Sequence, residues 1–307
     1  MCFNFLKNLF GINNDNEQED SSSCSSESSD TVNVGVKKRA LCFGINDYPG
    51  TGNDLRGCLN DVADWSSLLK DIYKFDEVVN MKDASCTKNN IKAAILKLIE
   101  VSIPGDVLVI QYSGHGTYTT DQNGDEIDNK DEAIVMYDGL LIDDDIREIM
   151  AQIKDGVKTT IIFDSCFSGT ATRAFNFNDE GFYRVSRFMP TKENGKMACA
   201  KIGKRIFKSI EEKDMKEILI SGCSESEVSY DAQFDGKYYG AMSYWATRVL
   251  KANPNITYSE FHAKLREKLP SSQYPQSPQL EGSAKDKSRL VFSWDKFNSF
   301  IFIIEKS

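Results

Sequence analysis

The chain has 307 residues, a mean hydropathy of −0.41 and a net charge of −9 from 37 basic and 46 acidic residues. These values exclude a polytopic membrane protein and argue against a broad nucleic-acid-binding surface. Two histidines exclude any site that needs three imidazoles, and the eight cysteines include no CxxC pair of the kind that binds zinc. So few cysteines in a chain of this length do not make a disulfide scaffold. We therefore expect a cytoplasmic protein with reduced thiols and no integral membrane segment.

The first 36 residues differ in composition from the rest. Seven of the nine residues from Ser21 to Ser29 are serine, and the segment holds six acidic residues and one basic residue. Such a segment cannot bury enough apolar surface to order itself, which predicts a disordered leader. Without the leader, 36 basic and 40 acidic residues give a net charge of only −4.

Short apolar runs and amphipathic segments alternate along the remainder. The predicted strands lie at 39–45, 77–81, 106–112, 133–137, 159–163 and 217–221, and the predicted helices at 54–73, 87–101, 143–153, 241–250 and 258–269. Strands that are apolar on both faces and alternate with helices predict an α/β fold, a mostly parallel central sheet with helices on both faces. The apolar tail at 300–304 is predicted to close this sheet.

The alternation is interrupted between residues 171 and 215. Nine basic and three acidic residues lie between Phe182 and Lys213, without an apolar period. A stretch of this length without secondary structure predicts a flexible, basic connector with a functional role.

Two predicted strands end in reactive side chains flanked by glycine. The strand at 106–112 runs into SGHG, which contains His115, and the strand at 159–163 runs into DSCFSG, which contains Cys166. Ligands of parallel sheets bind beyond the carboxyl ends of the strands, and glycine lets a backbone N–H approach an oxyanion. An imidazole can take the proton of a thiol and return it to a leaving amine. We therefore predict that Cys166 is a nucleophile and His115 its acid and base, whereas His262, in a polar helix, is expected at the surface.

These motifs resemble the catalytic pair of the caspase-like cysteine peptidases. The cysteine follows the histidine by 51 positions, which is close to the spacing in caspases. The form of the cysteine motif is similar to that of type I metacaspases, and the resemblance continues in segments 53–61, 142–145, 220–223, 229–232, 240–244 and 278–280. It implies a caspase-like (caspase-hemoglobinase) fold with a large-subunit-like region at 37–170 and a small-subunit-like region at 216–307. It also implies a monomeric thiol endopeptidase that is made as a zymogen.

The same resemblance assigns further groups in the site. It implies an oxyanion hole formed by the backbone N–H groups of Gly116 and Cys166, and a first specificity pocket lined by Asp61, Ser113 and Asp164. Metacaspases cut after Arg or Lys, and carboxylates in such a pocket neutralise a guanidinium or an ammonium group. The expected partners are therefore protein and peptide substrates with basic residues. For Asp61, a solvated helix face is the alternative.

The basic connector is itself a possible substrate. The candidate self-cleavage sites follow Arg184, Arg187, Lys192, Lys204 and Arg205. Self-cleavage at one of them is a hypothesis, and the alternative is a basic flexible loop without such a role.

An acidic segment suggests a cation site. Ten acidic residues and one basic residue lie between residues 121 and 145, and oxygen ligands suit Ca²⁺. The metacaspase resemblance implies a calcium site at Asp131, Asp143 and Asp144. The family's fourth carboxylate falls where this chain has Arg173, whose charge opposes a cation. A solvated acidic loop with acidic residues at a helix N-terminus is therefore the alternative.

Two other functions remain open at this point. One is a different Arg-specific peptidase of the same clan. The other is a non-catalytic scaffold that uses this fold for interaction. An intact Cys/His pair favours a peptidase over the scaffold.

Overall fold

The computed structural model of the chain describes residues 35–120, 130–167, 183–190, 211–224 and 226–294. The leader up to residue 34 and the tail at 300–304 lie outside the described residues, as do four residues named above: Arg173, Lys192, Lys204 and Arg205. The predictions made for these residues remain predictions.

The described strands, in chain order, are β1 (Lys38–Gly44), β2 (Glu77–Lys82), β3 (Val107–Ser113), β4 (Gly116–Thr120), β5 (Lys130–Met136), β6 (Gly139–Ile142), β7 (Lys158–Asp164), β8 (Arg184–Ser186), β9 (Glu217–Ser221), β10 (Tyr230–Phe234), β11 (Lys237–Gly240) and β12 (Gln279–Glu281). The α-helices are α1 (Cys58–Ser67), α2 (Lys88–Val101), α3 (Asp143–Met150), α4 (Ala241–Ala252), α5 (Tyr258–Arg266) and α6 (Ala284–Lys287). A π-helical turn, Leu68–Ile72, extends α1.

A six-stranded sheet in the order β12-β9-β7-β3-β1-β2 forms the centre of the described structure. The strands from β9 to β2 pair in parallel, and β12 pairs antiparallel with β9. The predicted α/β class with a mostly parallel sheet is thereby confirmed. In the described residues the strand beside β9 is the short β12, which the apolar pattern did not reveal.

The core lies on both faces of this sheet. Along β1, Leu41 and Phe43 contribute to one hydrophobic cluster, whereas Ala40 and Cys42 contribute to the other, as the alternation of side chains in a strand requires. Helices α2 and α3 cover the first face, and α1, α4 and α5 cover the second. Among the described residues, no helix combines the length and the apolar character needed to cross a bilayer.

The first helix begins four residues later than the pattern predicted, at Cys58. The backbone N–H groups of Arg56 and Gly57 donate to the two carboxylate oxygens of Asp231, at 2.9 and 3.0 Å. A Cβ at Gly57 would lie 2.5 Å from that carboxylate, so only glycine permits the approach. Because α1 begins only at Cys58, the two residues before it can bind a carboxylate from the second half of the chain.

Two three-stranded sheets flank the ends of the central strands in the described structure, β4-β5-β6 and β11-β10-β8. Strand β8 lies inside the segment 171–215, for which the sequence predicted a flexible connector. Residues Arg184–Ser186 are instead extended and paired antiparallel with β10. The apolar pattern did not predict this strand, because pairing with β10 and contacts of its side chains hold β8 in place.

Candidate active site

The register of two central strands brings His115 and Cys166 to the same end of the sheet. In the parallel pair β3 and β7, Ser113 lies opposite Asp164, and the two reactive residues each follow by two positions. Both side chains are buried. A Cβ at Gly116 would lie 2.3 Å from the carbonyl oxygen of Cys166, so the glycine after the histidine permits close contact between the two strand ends.

The His115 ring is oriented by a main-chain oxygen. Its Nε2 lies 2.7 Å from the carbonyl oxygen of Asn53. Because a carbonyl oxygen can only accept, Nε2 carries the hydrogen and Nδ1 keeps a lone pair, as a general base requires. In the described structure Nδ1 is buried and has no hydrogen-bond partner. The ring also packs against Tyr48, with centroids 4.8 Å apart, and the Tyr48 hydroxyl accepts from the His115 backbone N–H at 2.8 Å.

The thiol and the imidazole are both neutral in this arrangement. Burial raises the pKa of Cys166 to about 12, although contacts with Ser186, the Ser229 carbonyl and the charge of Arg187 act to lower it. Burial also lowers the pKa of His115 to about 4, against carbonyl contacts that raise it. The Cys166 Sγ lies 3.7 Å from the Ser186 Oγ and 3.9 Å from the Ser229 oxygen. The Cys166 thiol is therefore close to residues 186 and 229, and burial keeps it protonated.

A guanidinium from the chain itself lies in the predicted specificity pocket. The Nη2 atom of Arg187 donates to Asp61 at 2.7 Å and to Asp231 at 3.0 Å. Its Nη1 donates to the Asp164 carbonyl oxygen at 2.9 Å and lies 3.4 Å from the Asp164 carboxylate. All four side chains are 0% exposed. We call the three carboxylates Asp61, Asp164 and Asp231 the acidic pocket.

Backbone N–H groups hold the pocket carboxylates in place. The Gly240 N–H donates to both oxygens of Asp61, at 2.9 and 3.1 Å, and the Ser243 N–H donates to Asp164 at 2.8 Å. A Cβ at residue 240 would lie 2.5 Å from Arg187 Nη1, so glycine is required where the guanidinium enters. The pocket is thus assembled from the start of α1, the end of β7 and the N-terminus of α4.

Burial and repulsion between carboxylates shift pKa values in the acidic pocket. Burial raises the pKa of Asp61 to about 7, while Arg187 acts to lower it. The pKa of Asp231 is also raised by burial, against Arg187 and two backbone donors. For Arg187 itself burial acts to lower the pKa, but the surrounding carboxylates raise it well above its ordinary value. The guanidinium is therefore charged, and three carboxyl groups share one positive charge.

The predicted pocket residues Asp61 and Asp164 meet here, but the third member differs. Ser113 is buried beside Asp164, and its hydroxyl accepts from the side-chain amide of Gln111 at 2.8 Å. Asp231 contacts the guanidinium instead. The segment 229–232 carried part of the family resemblance, but nothing in its local pattern indicated a pocket carboxylate.

The backbone around Arg187 is bound on both sides. Its N–H donates to the Ser229 carbonyl at 2.9 Å, continuing the pairing of β8 with β10. Its carbonyl oxygen accepts from the Gly116 N–H at 2.8 Å, and the Met189 N–H donates to the Gly116 carbonyl at 2.9 Å. The predicted oxyanion donor Gly116 thus contacts the Arg187 carbonyl. In the described part of the chain the second predicted donor, the Cys166 N–H, makes no hydrogen bond to this oxygen.

The other described self-cleavage candidate occupies a different environment. The Arg184 guanidinium lies over the ring of Tyr230, 4.7 Å from its centroid, and donates to the Gln273 carbonyl. It has no contact with the acidic pocket. Of the five candidates, Arg187 is the described one that lies in the pocket.

The predicted calcium ligands are paired with an arginine. Asp143 and Asp144 lie in the first turn of α3, and Asp131 is buried on β5. The Arg147 guanidinium lies 3.1 Å from Asp143 and 3.5 Å from Asp144. Within the described ranges, no three His, Cys, Asp or Glu side chains are placed to hold a metal ion. The Arg147 guanidinium therefore lies beside two of the three predicted ligands, and the calcium site stays a prediction.

The second histidine has a packing role. His262 on α5 is half-buried rather than at the surface, and its Nε2 lies 2.8 Å from the Pro278 carbonyl oxygen. Burial lowers its pKa, against this hydrogen bond.

Comparisons with known proteins agree with this geometry. Residues 38–174 match the family described as metacaspase, peptidase C14 domain. The chain is 33% identical over 290 residues to Metacaspase-1 of Schizosaccharomyces pombe, covering 80% of this chain and 67% of that protein. It is 35% identical over 286 residues to Metacaspase-1 of Pyricularia oryzae, covering 80% of this chain and 72% of that protein. The crystal structure of protein GSU0716 from Geobacter sulfurreducens matches with a TM-score of 0.65 at 25% identity, over 84% of this chain and 99% of that chain.

Proposed function

This chain belongs to the metacaspase family and is a cysteine peptidase, and we propose that it is an endopeptidase that cuts after Arg or Lys through Cys166 and His115. The observation that carries the proposal is the acidic pocket beside these two residues, because it already surrounds a guanidinium. A caspase-type pocket for Asp would need basic residues where this chain has three carboxylates.

The reaction follows from the groups around the thiol. His115 Nδ1 takes the proton of Cys166, and the thiolate attacks the carbonyl carbon of the basic residue before the cut. The Gly116 N–H stabilises the negative oxygen, and the imidazolium gives its proton to the leaving amine. The Asn53 carbonyl keeps the ring in the tautomer that makes Nδ1 the base. Water then hydrolyses the thioester.

The pocket favours Arg over Lys. The two Nη atoms of a guanidinium reach different groups, one contacting Asp61 and Asp231 and the other contacting Asp164. An ammonium group is a single point of charge and cannot span these contacts. We expect Lys substrates to be cut more slowly than Arg substrates.

The test is hydrolysis of fluorogenic peptides with Arg, Lys or Asp before the cut. Cys166→Ala is expected to lose at least about 10³-fold in kcat/KM, since it removes the thiol that attacks the substrate. Cys223→Ser is the matched control, because it removes a half-buried thiol near Ser165 without touching the dyad. Cleavage after Asp alone contradicts the pocket assignment, and activity that survives Cys166→Ala contradicts the mechanism. Absence of activity in every condition favours the scaffold.

Calcium activation is a separate hypothesis. Of the predicted ligands Asp131, Asp143 and Asp144, the last two would have to release Arg147 before a cation entered. No step of the reaction proposed above depends on that event. Assays with calcium and with a chelator decide whether the ion acts on this protein.

A cytoplasmic location and a monomeric state complete the proposal. Five cysteines in the described part of the chain are free thiols: Cys42, Cys58, Cys86, Cys166 and Cys223. Free thiols are typical of a reducing compartment. Cell fractionation and light scattering of the purified protein test the two points.

A further inference from the structure

We propose that Gln276 is a positioning residue for guanidinium recognition, because it directs the Ser229 hydroxyl towards the carboxylate of Asp164 in the acidic pocket. The inference rests on the proposed function, since Asp164 is one of the carboxylates that would bind the substrate. It goes beyond that function by assigning two further residues to the choice of Arg over Lys. Neither residue takes part in breaking the peptide bond.

Two consecutive hydrogen bonds between buried groups connect Gln276 to the pocket. The Gln276 Nε2 donates to the Ser229 Oγ at 3.2 Å, and the Ser229 Oγ donates to Asp164 Oδ1 at 2.5 Å. All three residues are fully buried. Hydrogen bonds in such surroundings are stronger than at a surface, and a group that loses its partner there is costly in free energy. The orientation of one group therefore determines that of the next.

Two backbone groups fix the orientation of the Gln276 amide. The Tyr230 N–H lies 3.0 Å from Oε1 and can only donate, whereas the Gly222 carbonyl oxygen lies 2.8 Å from Nε2 and can only accept. An amide turned the other way would place a donor against a donor and an acceptor against an acceptor. Nε2 therefore has one hydrogen for the Gly222 carbonyl and a second that reaches Ser229.

This amide orientation determines the direction in which the Ser229 hydroxyl donates. Because the Ser229 oxygen accepts a hydrogen bond from Gln276, its single hydrogen is directed to Asp164. A hydrogen bond donated to a carboxylate stabilises its charge. The other carboxylate oxygen, Asp164 Oδ2, accepts from the Ser243 N–H at 2.8 Å and lies 3.4 Å from Arg187 Nη1. The carboxylate is thus fixed through both oxygens where it faces one end of a guanidinium.

Ser229 also binds the main chain of the residue whose side chain enters the pocket. Its carbonyl oxygen accepts from the Arg187 N–H at 2.9 Å, while its hydroxyl holds the carboxylate. A Cβ at Gly222 would lie 2.7 Å from the Ser229 Oγ and 3.1 Å from Asp164 Oδ1, so glycine permits these two groups to approach the end of β9. Ser229 therefore contributes to the alignment of both the backbone and the side chain of an arginine in the pocket.

The segment that carries Gln276 is fixed by contacts outside the pocket. The Glu227 carboxylate accepts from the Ser277 N–H at 2.7 Å and from the Ser277 Oγ at 2.9 Å. It also accepts from the Ser224 N–H at 3.2 Å, which joins the loop after β9 to the residues before β12. Gln276 is therefore held by contacts that do not involve the guanidinium, as a residue that positions the pocket must be.

The network acts on the contact that separates Arg from Lys. Asp61 and Asp231 contact one Nη atom of the guanidinium, whereas the other Nη atom faces Asp164. An ammonium group can satisfy the first contacts but cannot reach the last one at the same time. Loss of the hydrogen bond that directs the Asp164 carboxylate should therefore lower activity on Arg peptides more than activity on Lys peptides.

The test measures kcat/KM for matched peptides that have Arg or Lys before the cut. Both peptides meet Arg187 in the same pocket, so the ratio of the two values does not depend on how tightly that residue is held. Ser229→Ala is expected to lower the Arg-to-Lys ratio at least about tenfold, and Gln276→Met at least about threefold. Circular dichroism checks that each variant folds, and the ratio for Gln276→Met decides the matter if Ser229→Ala does not fold.

A double variant shows whether Gln276 acts through the hydroxyl. Adding Gln276→Met to Ser229→Ala should leave the ratio within about twofold of Ser229→Ala alone, because the amide then has no hydroxyl to direct. Ser229→Thr, which keeps a hydroxyl, should retain the wild-type ratio within about threefold. Gln279→Met is the matched control, since Gln279 is a half-buried glutamine that donates to the Ser277 carbonyl at 2.6 Å, outside the network. It should change the ratio by less than about twofold.

The two proposals fail in different ways. Hydrolysis after Arg with a ratio that Ser229→Ala and Gln276→Met leave unchanged overturns the role of Gln276 and leaves the proposed function standing. Equal losses for Arg and Lys peptides have the same meaning, because they indicate general damage to the site. A further fall of the ratio in the double variant also overturns the role, since the amide would then act by another route. Absence of cleavage after Arg or Lys in wild type overturns both.

Discussion

Two groups of aspartates in this protein lie against an arginine, and they differ in almost every other respect. In the acidic pocket, three carboxylates from distant parts of the chain surround Arg187, and all four side chains are fully buried. At the start of α3, Asp143 and Asp144 contact Arg147 within one helical turn, and the Arg147 side chain remains 18% exposed. We call this second group the α3 cluster.

The difference shows what a cluster of acidic residues requires before it forms a site. The pocket carboxylates are held by backbone N–H groups from three elements, so their positions do not depend on the arginine alone. The α3 contacts are between neighbours on one helix, where the acidic residues are also stabilised by the helix dipole. The Arg187 guanidinium is therefore fully enclosed, whereas the Arg147 guanidinium keeps some contact with solvent.

The largest expected effect comes from removing each arginine in turn. In the Cys166→Ala background, Arg187→Gln should lower the free energy of unfolding by about 3 kcal/mol, because it leaves buried carboxylates without a counter-ion. Arg147→Gln, the matched variant of the α3 cluster, should lose less than about 1 kcal/mol. Urea denaturation measures both. Equal losses in the free energy of unfolding would show that burial does not determine how much each arginine stabilises the fold.

The next effect concerns activity towards an Arg peptide. Asp231→Asn should lower kcat/KM by about 100-fold, since it removes a charge-assisted hydrogen bond to the guanidinium. Asp144→Asn in the α3 cluster should change kcat/KM by less than about twofold. Steady-state kinetics on both variants sharpen the comparison, and a comparable loss in Asp144→Asn would transfer the specificity role to the α3 cluster.

A smaller effect should appear in the pH dependence of stability. The pKa of Asp61 in the folded protein is raised to about 7 from an ordinary value of 3.8. Between these values the folded state binds a proton that the unfolded state has released, so the contribution of Asp61 to stability is lost as pH rises from about 4 to about 7. Relative to Asp61→Asn in the same Cys166→Ala background, the protein that keeps Asp61 should lose stability across this window. Urea denaturation at several pH values measures the difference, and an unchanged or opposite slope contradicts the assignment.

The smallest effect is expected from calcium. Because Arg147 already contacts Asp143 and Asp144, calcium or a chelator should change wild-type activity by less than about twofold. Arg147→Gln should bind the ion more tightly than the parent chain in isothermal titration calorimetry. Strong activation of wild type by calcium would show that the α3 cluster rearranges and that the two groups are more alike than their contacts indicate.

The central fold and the reactive pair were predictable because both depend on local pattern. Apolar runs marked β1, β3, β7 and β9, and glycine-flanked motifs at two strand ends indicated His115 and Cys166. The register of β3 and β7 then brings the two side chains to the same end of the sheet, because each follows a paired residue by two positions. Such information is contained in short stretches of sequence.

The remaining parts of the site depend on contacts between distant segments. Asp231 reaches the pocket only because the turn before α1 offers it two backbone donors. Strand β8 has no apolar period, and it is extended because β10 and Gly116 bind its backbone. Arg187 was one of five self-cleavage candidates in the connector, and only its placement separates it from Arg184.

His115 Nε2 donates to the backbone carbonyl of Asn53. This contact therefore does not depend on which side chain residue 53 has. Alanine scanning would not detect this contact, and residue 53 is free to vary in evolution as long as the backbone of the loop keeps its conformation. That conformation depends on Gly50 and Gly52, whose φ angles of 73° and 67° disfavour other residues. Selection on the imidazole tautomer therefore acts on two surface glycines, which a search for catalytic residues would regard as ordinary loop positions.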